Sequence, residues 1–269
     1  MYPYPIIFGL TLYDICLCAG IVACFALFGF FADKLKIQVR VQKLAIICGV
    51  CGVILGYGAA VLFQALYNIS TLGGFEITES TGATFYGGLI GGAAVFIIMY
   101  FALGRFATEG GEHKRQFFSV ADCAVAGIAI AHALGRVGCL TAGCCHGQLT
   151  DAWYGIEMHG NFGFDKYLPT QLFEAIFLLL LFAFLTLRIL GRKGYNLPIY
   201  LIVYGVWRFV IENLRADYRG NTFVEWLTPS QLTALVLIVV GVGVIFVEKA
   251  YKKHFFADFD GVTEESADD

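Results

Sequence analysis

Seven long runs of apolar residues restrict the fold of this chain more than any other feature. They cover residues 8–31, 43–67, 84–104, 117–137, 169–188, 197–214 and 229–247. Each run is long enough to cross the roughly 30 Å hydrocarbon core of a bilayer as an α-helix. Only 14% of the 269 residues are charged, whereas about a quarter are charged in a typical soluble domain. We therefore predict an all-α membrane protein with seven transmembrane helices.

Basic residues are concentrated in alternate connections between these runs. Thirteen Lys and Arg residues follow the first, third, fifth and seventh runs, and the other three connections hold only three. Cytoplasmic connections carry an excess of Lys and Arg in membrane proteins. The sequence therefore predicts a multi-pass protein with its N-terminus outside and its C-terminus in the cytosol.

The chain shows no internal repeat and no separate soluble segment. We predict a single seven-helix membrane domain over residues 1–254, followed by an acidic cytosolic tail over residues 255–269. Its low hydrophobicity and high negative charge predict that this tail is disordered. No basic segment precedes the first apolar run, so no cleavable signal peptide is predicted.

Polar side chains inside the apolar runs are the first indication of a functional site. A charged group in the bilayer costs about 2.5–3.5 kcal/mol, so such groups are expected to face the protein interior. Side chains from at least five runs fall at one depth in the outer half of the membrane, namely Tyr13, Tyr86, Arg136, Gln171, Glu174, Arg208, Glu212 and Gln231. Because the planar guanidinium group matches phosphate geometry, we predict an interior cavity that binds a lipid phosphate. A purely structural ion-pair network is the alternative.

The segment "YLIVYGVWRFVIENLRADYRG" places several of these side chains on one helix face. Tyr204, Arg208 and Glu212 are spaced four residues apart, and Arg215 follows on the same side. We predict that Glu212 holds Arg208 in place and leaves its other donors for a ligand. A self-contained Arg–Glu pair is the other interpretation.

The stretch "GRVGCLTAGCCHG" combines a cation with several thiols at the end of the fourth run. Cys139, Cys144, Cys145 and His146 lie close in sequence to Arg136, and a nearby cation favours the thiolate. Four interpretations remain open: an active-site nucleophile or hydrogen-bonding group, a disulfide that involves Cys139, a zinc site that includes His146, or a tight turn of small residues. The other six cysteines lie in the apolar runs, where cysteine packs as a small apolar residue.

Four segments together resemble the prolipoprotein diacylglyceryl transferase family, which comprises seven-span enzymes of the bacterial inner membrane. "GRVGCLTAGCCHG" is similar to the family's G-R-x-G-N-F-x-N-x-E-x-x-G, and "YLPTQLFEA" to its H-P-[ST]-Q-L-[YF]-E-A. "YGVWRFVIENLRADYR" resembles Y-G-x-x-R-x-x-[VI]-E-x-x-R-x-x-D, and "TFYGGLIGG" resembles F-H-G-G-L-x-G. The segments occur in the family's order, and the resemblance extends from about residue 10 to 245.

The resemblance implies transfer of the diacylglyceryl group of phosphatidylglycerol to the lipobox cysteine of a preprolipoprotein, with formation of a thioether and release of glycerol phosphate. The resemblance and the chemistry of the residues together give six candidate catalytic residues: Arg136, Arg208, Tyr86, Cys139, Cys144 and Cys145. The candidate substrate-binding residues are Tyr13, Tyr204, Glu212, Gln171, Glu174, His146 and Arg215. The expected partners are phosphatidylglycerol or another glycerophospholipid, a lipobox protein or another thiol acceptor, and membrane lipid. No metal, other cofactor or nucleic acid is expected.

Three departures from the family pattern fall among the implied catalytic residues. Tyr86 stands where the family has histidine, Cys139 where it has asparagine, and Cys144 where it has glutamate. Tyrosine has an ordinary pKa of about 10 and is a weak base at neutral pH. Two further hypotheses therefore remain. One is a divergent enzyme that uses another lipid or acceptor through the cysteine cluster, and the other is a non-enzymatic transporter or redox protein on the same fold.

Overall fold

The computed structural model of the chain describes residues 4–6, 9–72, 85–160, 163–216 and 226–260, apart from the side chains at a few helix and strand ends. Its helices are α1 (Leu12–Lys34), α2 (Val39–Leu72), α3 (Phe85–Ala107), α4 (Glu112–Arg115), α5 (Phe117–Ala142), α6 (Thr170–Leu190), α7 (Asn196–Ile211) and α8 (Pro229–Asp260). Two strands, β1 (Ile156–Gly160) and β2 (Gly163–Tyr167), lie between α5 and α6. A single 3-10 turn, Glu212–Leu214, extends α7.

Seven helices in the described part of the chain are long and apolar enough to cross a membrane, and α4 is the short exception. This confirms the predicted fold class and the number of spans. Many of the exposed side chains on these helices are large and apolar, such as Ile54, Leu187 and Val239, which suits contact with lipid tails. α8 continues through residues 255–260, and residues 261–269 of the predicted tail lie outside the described residues.

The chain divides into two compact units. One is Lys36–Val120, and the described residues on either side of it form the other. Within the first, α2 and α3 touch through their backbones. An ideal Cβ placed on Gly56 would lie 3.0 Å from the Cα of Gly92, and one on Gly92 would lie 2.9 Å from the carbonyl oxygen of Gly52. The glycines of "TFYGGLIGG" thus admit a neighbouring helix, a common use of small residues in membranes.

The second unit contains α1, most of α5, and α6–α8, with the two strands outside the membrane-spanning helices. β1 and β2 form an antiparallel hairpin in which Glu157 lies opposite Lys166, a favourable cross-strand pair. This hairpin was not predicted from the sequence. Its strands are only five residues long, and they carry charged and polar residues, so they lack the apolar pattern that marks a longer strand.

Candidate functional site

Two arginines from different helices face one buried carboxylate. Glu174, in the first turns of α6, has no solvent exposure. The Nε of Arg136 on α5 lies 2.9 Å from its Oε2 atom. The Nη1 of Arg208 on α7 lies 3.8 Å from the same oxygen. Three helices therefore contribute to a single charged cluster inside the second unit.

The other carboxylate oxygen of Glu174 is held by α5 and α7. The hydroxyl of Tyr204 donates a hydrogen bond to Oε1 at 2.9 Å, and the Nε2 of His132 lies 3.8 Å from the same atom. The rings of His132 and Tyr204 meet edge to face, with their centroids 5.0 Å apart. These contacts fix the orientation of the carboxylate. His132 was not among the site residues predicted from the sequence.

Arg208 is also anchored on its other side, at the beginning of α8. Its Nη2 donates to the Oε2 of Glu212 at 2.7 Å and to the Oγ of Ser230 at 2.9 Å. Thr228 donates its hydroxyl to the Oε1 of Glu212 at 3.2 Å. The predicted Arg208–Glu212 pair is confirmed. Among the described residues, the Nη1 of Arg208 has no hydrogen-bond acceptor, so this pair does not use all of its donors.

The formal charges of the cluster do not cancel. Arg136, Arg208 and Arg215 supply three positive charges, and Glu174 and Glu212 supply two negative charges. Apart from Arg136, which is slightly exposed, these side chains are buried. The resulting charge of plus one is costly in a low-dielectric interior unless an anion compensates it. The arrangement therefore favours a nearby negative charge, either a bound anion or a thiolate next to Arg215.

Three thiols form a second cluster at the extramembrane end of α5. The Sγ atoms of Cys139, Cys144 and Cys145 all lie within 4.8 Å of one another, and none of the three forms a disulfide within the described part of the chain. Arg215 hydrogen-bonds to Cys145. Hydrogen bonds with the Cys139 and Cys144 thiols, together with this guanidinium group, lower the pKa of the Cys145 thiol. Cys145 is thus the member of the cluster in which the thiolate is most favoured.

The turn that carries Cys144 and Cys145 is held by the backbone and by α6. The Cys144 amide donates to the Cys139 carbonyl at 3.1 Å. Buried Gln171 donates its amide to the Cys144 carbonyl at 2.6 Å, and the Thr170 hydroxyl donates to the Cys145 carbonyl at 3.1 Å. Gln171, predicted to bind substrate, is therefore engaged with the protein backbone.

The remaining predicted site residues are Tyr13, His146 and Tyr86. Tyr13 on α1 packs against Gly138, whose ideal Cβ would lie 3.1 Å from the Tyr13 Cδ2 atom. His146 stacks on Tyr167 with ring centroids 4.0 Å apart, and its Nδ1 lies 3.1 Å from the Gly147 oxygen. His146 therefore does not join the thiols. Tyr86 lies in the first turn of α3, but its side chain lies outside the described residues.

Gly147 and Gly135 belong to the same motif, but the structure predicts different effects of substitution at the two positions. An ideal Cβ on Gly147 would lie 2.6 Å from the Leu214 carbonyl oxygen, whereas one on Gly135 would have no neighbour within 4 Å among the described residues. We expect Gly147→Ala to lower the free energy of unfolding by about 1–3 kcal/mol, the usual cost of overpacking. Gly135→Ala, the matched control, should not destabilise the protein. Thermal unfolding in detergent micelles measures both, and equal stabilities would contradict the packing around Gly147.

The fold and the two clusters define a multi-pass membrane protein with a buried cationic site next to a group of thiols. The sequence model of a family described as prolipoprotein diacylglyceryl transferase matches residues 5–247. The chain belongs to this family. Its members are proteins of the bacterial inner membrane, and the seven apolar helices agree with that location.

Individual relatives carry the same family name. The phosphatidylglycerol–prolipoprotein diacylglyceryl transferase of Clostridium tetani is 33% identical over 215 residues, which are 77% of this chain and 80% of that protein. The protein of Clostridium perfringens named phosphatidylglycerol–prolipoprotein diacylglyceryl transferase 2 is 34% identical over 167 residues, which are 60% of this chain and 60% of that protein. The Ehrlichia ruminantium (strain Welgevonden) transferase is 27% identical over 226 residues, 79% of this chain and 83% of that protein.

Proposed function

We propose that the chain transfers the diacylglyceryl group of phosphatidylglycerol to the lipobox cysteine of a preprolipoprotein. The names of the relatives state this donor and this class of acceptor. In the reaction the acceptor sulfur forms a bond to the glyceryl carbon. The bond from that carbon to the phosphate oxygen breaks, and glycerol phosphate leaves with the electron pair. The thiol proton is released, so the products balance the substrates.

The arrangement of Arg136 and Arg208 around Glu174 is the observation that carries this proposal. Negative charge develops on the leaving phosphate as the carbon–oxygen bond breaks. Fixed donors in a site that excludes water stabilise such charge strongly. The Nη1 of Arg208 lacks a hydrogen-bond acceptor among the described residues, so it suits a phosphate oxygen.

The other site residues receive proposed roles from their contacts. Tyr204 and Glu212 position the two charged groups to which they hydrogen-bond, Glu174 and Arg208. Gln171 positions the thiol-bearing turn. Tyr13, His146 and Arg215 remain proposed substrate contacts, and Tyr86 remains a proposed catalytic residue. With the N-terminus outside, as the basic residues indicate, this reaction takes place in the outer half of the membrane.

The experiment combines the purified protein in lipid nanodiscs with labelled phosphatidylglycerol and a lipobox peptide. We expect a peptide whose mass has increased by one diacylglyceryl group, together with an equal amount of glycerol phosphate. The matched control is the same peptide with serine in place of its cysteine, which should remain unmodified. Absence of both products would contradict the proposal. Glycerol phosphate release with a small thiol, but not with the peptide, would retain the chemistry and identify a different acceptor.

A further inference from the structure

We propose that Cys139, Cys144 and Cys145 bind one thiophilic metal ion of the Zn²⁺ class and leave its fourth coordination position open. The three Sγ atoms already lie within 4.8 Å of one another. A Zn–S bond is about 2.3 Å long, which places sulfur ligands about 3.8–4.0 Å apart around the ion. The thiols therefore need to approach by less than about 1 Å, which small side-chain rotations provide.

A tight backbone turn brings the three thiols together. Cys145 has a φ angle of +64° and follows Gly143 at +72°, and such angles are uncommon for a residue with a side chain. This tight turn brings two neighbouring cysteines to the thiol at the end of α5. Hydrogen bonds from Thr170 and Gln171 to the carbonyls of the turn fix it from α6. A site preformed in this way loses little entropy when an ion binds.

The charge around the thiols suits a bound metal thiolate. Three thiolates and one divalent cation leave a net charge of minus one. Arg215 is buried and hydrogen-bonds to Cys145, so it supplies a compensating positive charge outside the coordination shell. Hydrogen bonds of this kind orient the ligands of metal sites.

The ligand set determines which ion fits and what the ion can do. Thiolates select soft or borderline ions such as Zn²⁺ or Cu⁺. The cluster of potential ligands found among the described residues contains only these three cysteines, because His146 is engaged with Tyr167 and Gly147. Zinc sites with three protein ligands keep the fourth position for water or substrate.

The open position suits the thiol of the acceptor, an extension that rests on the proposed function. A thiol that coordinates such a metal is deprotonated. Its proton passes to solvent, and the metal keeps its oxidation state. The site would therefore present the acceptor sulfur as a thiolate, the form that attacks carbon.

Cobalt binding tests the site without requiring turnover. The full-length protein is purified under reducing conditions in nanodiscs and titrated with Co²⁺. We expect one ion per chain, a thiolate-to-cobalt charge-transfer band, and displacement by Zn²⁺. Loss of an outer-shell partner lowers metal affinity roughly 10–100-fold. Loss of a direct ligand should lower the affinity for Co²⁺ by more than this, and we expect this result for each of Cys139→Ser, Cys144→Ser and Cys145→Ser. Cys18→Ser, which removes an exposed thiol on α1, is the matched control and should bind like the wild type.

Three results would overturn the metal site. They are absence of bound Co²⁺ with all thiols reduced, equal binding in the three variants and the wild type, and a loss of two titratable thiols per chain that identifies a disulfide within the cluster. Thermal unfolding of each apoprotein separates lost binding from lost folding. For a variant that does not fold, X-ray absorption of the wild-type cobalt protein must instead show three sulfur ligands.

The open position has its own readout, so failure of this inference is distinguishable from failure of the proposed function. Adding 2-mercaptoethanol to the cobalt protein should shift the visible bands, because a fourth sulfur enters the coordination shell. An unchanged spectrum would refute the open position. Full diacylglyceryl transfer by metal-free protein would refute the role of the ion in presenting the thiol, while leaving the transferase proposal intact.

Discussion

Arg208→Lys is expected to slow diacylglyceryl transfer by about 10²–10³-fold, the size of effect seen when one preorganised donor is removed from a site that stabilises developing negative charge. Lysine retains the charge but not the planar fork. Arg208 uses one terminal nitrogen for Glu212 and Ser230, and directs the other toward Glu174. A single ammonium group cannot make these contacts and also bind a phosphate oxygen. Arg136→Lys should reduce the rate within the same range.

The rate of glycerol phosphate release at saturating phosphatidylglycerol measures this effect. Arg105→Lys provides the matched control, because Arg105 is exposed at the end of α3 and hydrogen-bonds to the nearby Ala102 carbonyl. That variant should retain the wild-type rate. Wild-type rates for both Arg136→Lys and Arg208→Lys would show that the two guanidinium groups do not bind the reacting phosphate.

Glu174→Gln is expected to lower the free energy of unfolding by about 3–5 kcal/mol, because it leaves buried charge without its partner. Arg136 and Arg208 both face the same oxygen of this carboxylate. Glutamine has nearly the same volume, so the change removes charge without creating a cavity. The formal charge of the cluster would rise from plus one to plus two. Unfolding in mixed micelles measures the difference.

Two companion variants separate this electrostatic effect from a general loss of packing. Adding Arg136→Gln to Glu174→Gln should restore part of the lost stability, because the double variant removes one charge of each sign. Glu109→Gln breaks an exposed pair with Arg40 and should unfold like the wild type, since exposed pairs contribute little. If Glu174→Gln alone has wild-type stability, this carboxylate does not hold the two arginines.

The sequence predicted those features that depend on local chemistry. Each lipid-crossing helix needs a long apolar run, so the seven spans were predicted from run length. Arg208 and Glu212 are four residues apart on one helix, and their spacing was sufficient to predict the pair. The sequence also predicted that charged side chains within the apolar runs face the protein interior, because such groups are costly in lipid.

Features that depend on how helices pack could not be predicted in the same way. The contact of Arg136 with Glu174 joins α5 to α6, and no sequence spacing encodes it. Ser230 and His132 enter the site for the same reason. The proximity of Cys139 to Cys144 and Cys145 depends on an unusual backbone angle at Cys145. Gln171 was predicted to bind substrate because it lies in a family motif, but its observed hydrogen bond is to a carbonyl.

The Glu174 carboxylate competes with any entering anion for contact with Arg136 and Arg208. Before a lipid arrives, this side chain already partly neutralises both guanidinium groups, so an incoming headgroup must share them. The two arginines therefore bind an anion more weakly than they would without Glu174. When the product leaves, the Glu174 carboxylate can pair with both of them again. A bilayer presents its own lipids at high local abundance, so the loss of affinity is tolerable. We therefore expect the site to release a bound anion faster than it would if the two arginines had no carboxylate beside them.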